Sequence, residues 1–142
     1  MSEPLYTLDI LRLAAESSAF TRLIAPDVSA TQRSALCGSH VVIDLALSDG
    51  IVTATGGEVR ACAFGQASTT LFARSAIGKS SREIEVARGA VRAWLDKADA
   101  PAPRWPGIEV LAPARAKPAR HVAILLPFDA ALAALTKIAT PA

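Results

Sequence analysis

Cysteine is scarce in this chain: two in 142 residues, with two histidines beside them. The opening "MSEPLYTLDI" has no basic segment leading into an apolar one, so no secretion signal is expected. A reducing, cytoplasmic setting follows, in which thiols stay free unless they bind metal or react. An excess of charge is missing too. A net charge of +2, with no lysine or arginine run interleaved with aromatics, argues against a nucleic-acid partner. The longest apolar run, "VAILLPF" at 122–128, is far shorter than the roughly 20 residues of a bilayer span, so no membrane segment is expected. Repeats are absent. The carboxylates are scattered over helix faces and turns, which leaves no acid–base pair for catalysis.

What the chain does have is apolar material, 51% of its residues against 20% charged. Its length suits one domain spanning 1–142, with a core that needs neither metal nor disulfide. Leu5, Leu8, Ile10, Leu11 and Leu13 recur at helical spacing from Pro4 to about Ser17, and Phe20, Leu23 and Ile24 continue that apolar face. Residues 27–36 read as a polar connector. Val41, Ile43, Leu45 and Leu47 then alternate with their neighbours as a strand does, and Asp49–Gly50 makes a two-residue hairpin turn into "IVTAT". Gly56–Gly57 reads as a second turn, and "EVRAC" as a short third strand ending at Cys62.

A helix is expected from about Gly65 to Gly78, the latter suited to the left-handed position that ends a helix. Ser80 and Glu83 form the capping box of a second helix, with Ile84, Val86, Ala87, Val91 and Trp94 as its buried stripe. A proline-rich loop covers 98–107, and a last helix runs from about Ala119 to Ile138, kinked at Pro127. The order predicts an α+β domain, helices packed on a three-stranded antiparallel sheet.

Several motifs fail on inspection. "GKSS" at 78–81 lacks the glycine five residues earlier that a phosphate-binding loop needs, and a helix rather than a strand precedes it. Ser39, His40 and Asp44 share one strand start, where neighbouring side chains point to opposite faces, so they do not form a hydrolase triad. His40 and His121 read first as surface hydrogen-bonding groups. Arg115, Lys117 and Arg120 make the densest basic stretch, either a solvated face or a patch for a protein partner.

The two thiols have distinctive settings. Cys37 precedes a glycine that opens backbone access to it, and Cys62 stands near a helix N-terminus, whose positive end favours a thiolate. Around them, "PLYTLDILRLA", "LCGS", "ACAFGQAST", "AIGKSSREI" and "PARHVAILLPF" follow one another in an order that resembles the IscU/SufU/NifU N-terminal family of iron–sulfur cluster assembly scaffolds. The most specific pieces are Cys37–Gly38 and Cys62 with Ala67–Ser68 behind it. The resemblance covers nearly the whole chain. It implies a compact α+β fold with a three-stranded antiparallel sheet, and a scaffold rather than an enzyme. Such a scaffold receives sulfur from a cysteine desulfurase, works with other cluster-assembly proteins, and holds an iron–sulfur cluster transiently, or zinc, at one end.

By the same resemblance, the metal-binding residues are Cys37 and Cys62, and the basic stretch Arg115, Lys117 and Arg120 faces the partner. Two departures stand out. The family carries an aspartate where this chain has Ser39, and a third cysteine where it has Ala123. Pro118, Arg120, Leu125, Leu126 and Pro127 stay in step there, with Phe128 for tryptophan. Two thiolates are half the usual ligand set. Ser39, His40 and His121 are the auxiliary candidates, although His121 precedes Ala123 by two residues, roughly 200° around a helix. Two other readings stay open: a metal-free binding or regulatory module of the same fold, with no cofactor, and a thiol-redox protein that joins Cys37 to Cys62.

Overall fold

A computed structural model describes residues 6–35 and 38–139, the side chain of residue 139 excepted. Three antiparallel strands, β1 (Val28–Arg33), β2 (His40–Ser48) and β3 (Ile51–Arg60), form one sheet in the order β1-β2-β3. Four α-helices pack with it: α1 (Leu8–Glu16), α2 (Ala63–Ala76), α3 (Ser81–Asp96) and α4 (His121–Ala139). Short 3₁₀ stretches at Ser17–Ala19, Ile108–Ala116 and Pro118–Arg120 join them.

The strands are not divided as expected: a strand stands where a connector is expected, and "IVTAT" and the start of "EVRAC" belong to one strand that ends at Arg60. Residues 28–33 are not a connector but edge strand β1, which buries Val28 and leaves the rest half-buried or exposed. A strand with one wet side and "SATQR" as its body carries no apolar alternation to read. Nor do Gly56 and Gly57 turn the chain: β3 runs straight through them. Gly56 is there because residues 21–23 cross the sheet at this point, and Gly57 because the backbone of β2 lies against it. A Cβ on Gly57 would lie 1.8 Å from the Val42 carbonyl oxygen, and one on Gly56 would lie 2.6 Å from that of Thr21. Gly57 also has a φ of 150°, which side-chain-bearing residues rarely adopt, and its N–H donates to the Thr21 carbonyl at 2.9 Å.

Asp44 fastens the crossing segment. It sits on the central strand opposite Ser29 of β1 and Gly56 of β3, with no exposed surface. Its carboxylate accepts from Arg22 Nε at 2.7 Å and Nη2 at 3.0 Å, from the Leu23 N–H at 3.0 Å and from the Ser29 hydroxyl. Burial pushes this carboxyl up; the Arg22, Ser29 and Leu23 donors outweigh it and hold it below the usual carboxylate range.

The other face of the sheet carries Val41, Ile43 and Leu45, all fully buried in one core with Phe64 and Phe72 of α2 and Ile124, Leu126 and Phe128 of α4. Pro118–Ile138 is apolar and long enough to cross a bilayer on those measures alone, but 61% of its most apolar 18-residue stretch lies inside the protein, where the core accounts for it. The helix continues through Pro127.

The hairpin reads as expected, with Asp49 at φ 51° and Gly50 at φ 79° between Ser48 and Ile51. So does the start of α3: the Ser80 hydroxyl accepts from the Glu83 N–H, and the Glu83 carboxylate from the Ser80 N–H. Val86 departs from the expected stripe. It is 62% exposed, lying about 200° around the helix from buried Ile84, while Leu95 joins Val91 and Trp94 inside. Ile24 likewise faces solvent.

The linker after α2 pairs with the free edge of β3, where Val52 N–H donates to Lys79 O and Gly78 N–H to Val52 O. On the far side of the sheet the Lys137 ammonium donates to the Ser29 carbonyl. The proline-rich loop is pinned by Trp105, which is buried, donates to the Leu71 carbonyl at 2.9 Å, and stacks on Phe72 and against the edge of Phe128.

Two outcomes follow from this outer face. Gly57→Ala should lower stability by at least ~2 kcal/mol, because the methyl group meets backbone and the φ is strained; urea unfolding would show a lower midpoint at unchanged slope. Asp44→Asn should cost about 2–3 kcal/mol at pH 7 through the lost charge pair. Because the folded state holds Asp44 ionised, its contribution is full above the unfolded carboxylate pKa, about 3.9, and disappears as pH falls through the lower folded value. The gap between parent and variant, read in urea at a series of pH values, should therefore close only below pH ~4.

Candidate cysteine site at the end of the sheet

The strand register brings Arg33, His40 and Arg60 into one row across the end of the sheet, each directly opposite the next. Opposed residues share a face, so three basic side chains stand side by side there. Two residues beyond Arg60 comes Cys62, and just before His40 come Gly38 and Ser39, so both stretches lie at this same end. The loop into β2 closes tightly: Ser34 N–H donates to Ser39 O at 2.8 Å, and Gly38, at φ 71°, donates its N–H to Ser34 O. Ser39 is buried. Cys37 lies outside the described residues.

Cys62 is the N-cap of α2, with extended backbone, a half-buried free thiol and no side-chain capping bond. Its carbonyl accepts the Gln66 N–H that starts the helix. The helix therefore begins at Ala63, two residues earlier than its glycine suggests. Gly65 serves instead as a contact. A Cβ there would stand 2.6 Å from the Ala61 Cβ and 3.3 Å from the Ala123 Cβ, so the first turns of α2 and α4 meet almost backbone to backbone. The Ser68 hydroxyl locks that contact by donating to the Ile124 carbonyl at 2.6 Å. Ala123 is thus beside the Cys62 end of α2 and is itself 1% exposed.

The remaining sequence candidates lie between α3 and the start of α4. His121 is nearly buried, with Nε2 2.9 Å from the Ala114 carbonyl and Nδ1 3.3 Å from Asp96. Arg115 donates to the carbonyls of Trp94, Lys97 and Ala98 and lies over the Trp94 ring. Both side chains hold the C-terminal end of α3. Arg92, with His121, keeps the Asp96 carboxyl below its ordinary range. Lys117 is exposed and Arg120 half-buried, and neither forms an ion pair among the described residues.

Arg33 and Arg60 escape a reading of the sequence because one of them is on the unrecognised strand β1. Among the described residues no group of three or more His, Cys, Asp and Glu side chains is placed to hold a metal ion. Among the described residues the sheet end offers one half-buried thiol, a serine loop and a basic rim. That combination suits an anionic or thiophilic species, held with few protein ligands.

No protein-family model and no curated protein matches the chain. Solved structures do. A nitrogen-fixing NifU-like protein (N-terminal) from Brucella abortus is 38% identical, superposes with a TM-score of 0.88, and the match covers 97% of this chain and 96% of that one. A candidate iron–sulfur cluster assembly scaffold protein for the SUF system from thermophilic Fervidobacterium islandicum AW-1 shares the fold at 19% identity and a TM-score of 0.80, over 92% of this chain and 96% of its own. With 38% identity sustained over nearly the full length of both chains, and the three-stranded sheet and its helices in place, this protein belongs to the NifU-like N-terminal family, within the IscU/SufU/NifU group.

Proposed function

We propose that this protein is a divergent scaffold of iron–sulfur cluster assembly, a carrier rather than an enzyme, working in the cytoplasm. Its cargo is iron with sulfide, or zinc, taken on Cys37 and Cys62. The observation that carries this reading is the placement of Cys62, free and half-buried at the N-cap of α2, with the Gly38–Ser39 loop and Ala123 at the same end of the molecule. Full-length likeness to a NifU-like protein supports it. Cys37 acts as acceptor of sulfur and Cys62 as its partner. Ser39 and His40 are auxiliary donors at best, and His121 is directed to Ala114 and Asp96.

With two thiolates in place of four ligands, cargo is held loosely, and water or groups of a partner complete the coordination. The partner implied is a cysteine desulfurase, with other assembly proteins. The row Arg33, His40 and Arg60 is a better-placed surface for it than Arg115, whose donors go to the end of α3, and exposed Lys117 and Arg120 extend the basic area.

A second reading, a metal-free module docking on the same machinery, is favoured by Ala123, a buried methyl group where a third thiolate would stand.

Anaerobic incubation with a cysteine desulfurase, cysteine, ferrous iron and dithiothreitol, which reduces the transferred persulfide sulfur to sulfide, should leave iron and acid-labile sulfide on the parent, and neither on Cys37→Ser or Cys62→Ser. Equal retention by all three proteins would refute the carrier role. Restoring ligands gives the converse check. Ser39→Asp with Ala123→Cys should tighten zinc binding on the order of 100-fold in competition with a chromophoric chelator, each new ligand replacing a water. No change in the double variant would mean that these positions do not meet.

A further inference from the structure

On the flank of the molecule, α3 and the proline-rich loop enclose an open cleft of about 740 Å³. One wall is Ala87, Ala90 and Ala93 of α3; the other is Pro101 and Pro103, with buried Trp105 at the base. From Arg82 to Ala93 the helical wall is roughly 16 Å long at 1.5 Å per residue, an elongated shape. The cleft is preformed. Trp105 is fixed by its bond to Leu71, and Gly107 beyond it approaches Leu71 so closely that a Cβ would lie 2.6 Å from that side chain. Small side chains on both walls leave room for larger apolar ones from outside, and Val86 stands exposed at the mouth.

The charges around the cleft indicate what fits. Lys79, Arg82 and Arg104 line it, and none is in an ion pair among the described residues; Lys79 lies 5.1 Å from the centre of the Trp105 ring. Glu83, the one acid of the lining, is tied to the Ser80 N–H in the capping box. Three cations against one engaged carboxylate leave a rim two charges in excess around an apolar trough. A bilayer surface needs protruding apolar groups rather than a concave trough. An extended or helical segment suits a trough of this length.

We infer that the cleft between α3 and the 98–107 loop is a docking site for a segment of a partner protein that carries Leu, Ile, Val or Phe side chains flanked by Asp or Glu. Lys79 and Arg82 lie near the hairpin, where Ile51 bridges to Ser80, and Cys62 follows the opposite end of β3. The acidic part of the segment is therefore held away from the thiol, leaving that end open. This inference does not depend on what the thiols carry.

The test is selection of a displayed library of random 12-residue peptides on the immobilised full chain, without metal or desulfurase. Recovered peptides should be enriched in acids beside large apolar residues. A labelled synthetic copy, followed by fluorescence polarisation, should bind at least tenfold more weakly to Ala90→Trp, which fills the trough, and to Arg82→Glu/Arg104→Glu, which reverses the exposed rim. Both variants are checked for parental circular dichroism, and the charge variant alone decides if the tryptophan disturbs the fold. Failure to recover peptides, recovery of peptides without acids, or undiminished binding to the charge variant overturns the inference. So does sedimentation with phosphatidylglycerol vesicles that the charge variant loses while no peptide binds.

Discussion

The carboxylate of Asp44 is buried in the middle of the central strand, and the whole outer side of the sheet is arranged to keep it ionised. A charge in that position is costly to desolvate, and only the combined donors of Arg22, Leu23 and Ser29 offset the cost. To bring Arg22 and Leu23 within reach, residues 20–24 have to lie directly on the sheet. That proximity is what forces glycine at 56, while at 57 the nearby Val42 carbonyl and a φ of 150° do so. Ser29, on the opposite strand, ties β1 into the same arrangement, so the link from α1, the edge strand and the far strand all meet on one side chain.

A similar economy of space shapes the cysteine end. Ala61, Gly65 and Ala123 are small because two helix starts approach closely there, and Ser68 closes the contact with a hydrogen bond. Cys62 is placed by this packing. Its position as N-cap of α2 depends on where β3 ends and where α4 begins, both of which are set by the core. A thiol so placed is held in position by the packing of the two helix starts.

How far the residues disclose this varies with the kind of signal. The α3 capping box and the Asp49–Gly50 turn are local chemistry, and both stand as read. The class of fold and the number of strands also stand. Strand β1 is invisible to periodicity because its outward side is wet and its inward side brief. Gly56–Gly57 looks like a turn because a turn and a chain crossing demand the same residue. His121 and Arg115 illustrate a further limit: each is a plausible ligand or docking residue in the sequence, and only the fold puts Arg115 against the Trp94 carbonyl and His121 between the Ala114 carbonyl and the Asp96 carboxylate. Arg33 and Arg60 are the converse case, ordinary surface residues until the register lines them up with His40.

A three-stranded sheet has two borders, and here each is interrupted. Val52 of β3 exchanges both its backbone groups with the 78–79 linker, Gly57 gives its N–H to Thr21, and Lys137 reaches the Ser29 carbonyl on β1. Unpaired borders invite a foreign strand to add itself by main-chain hydrogen bonding, which is both a route to aggregation and a common mode of recognition. With these groups already engaged, β-augmentation is blocked at those points. At those points contact with another molecule is left to side chains and helix surfaces, a mode of contact that reads residue identity where strand pairing would accept almost any sequence.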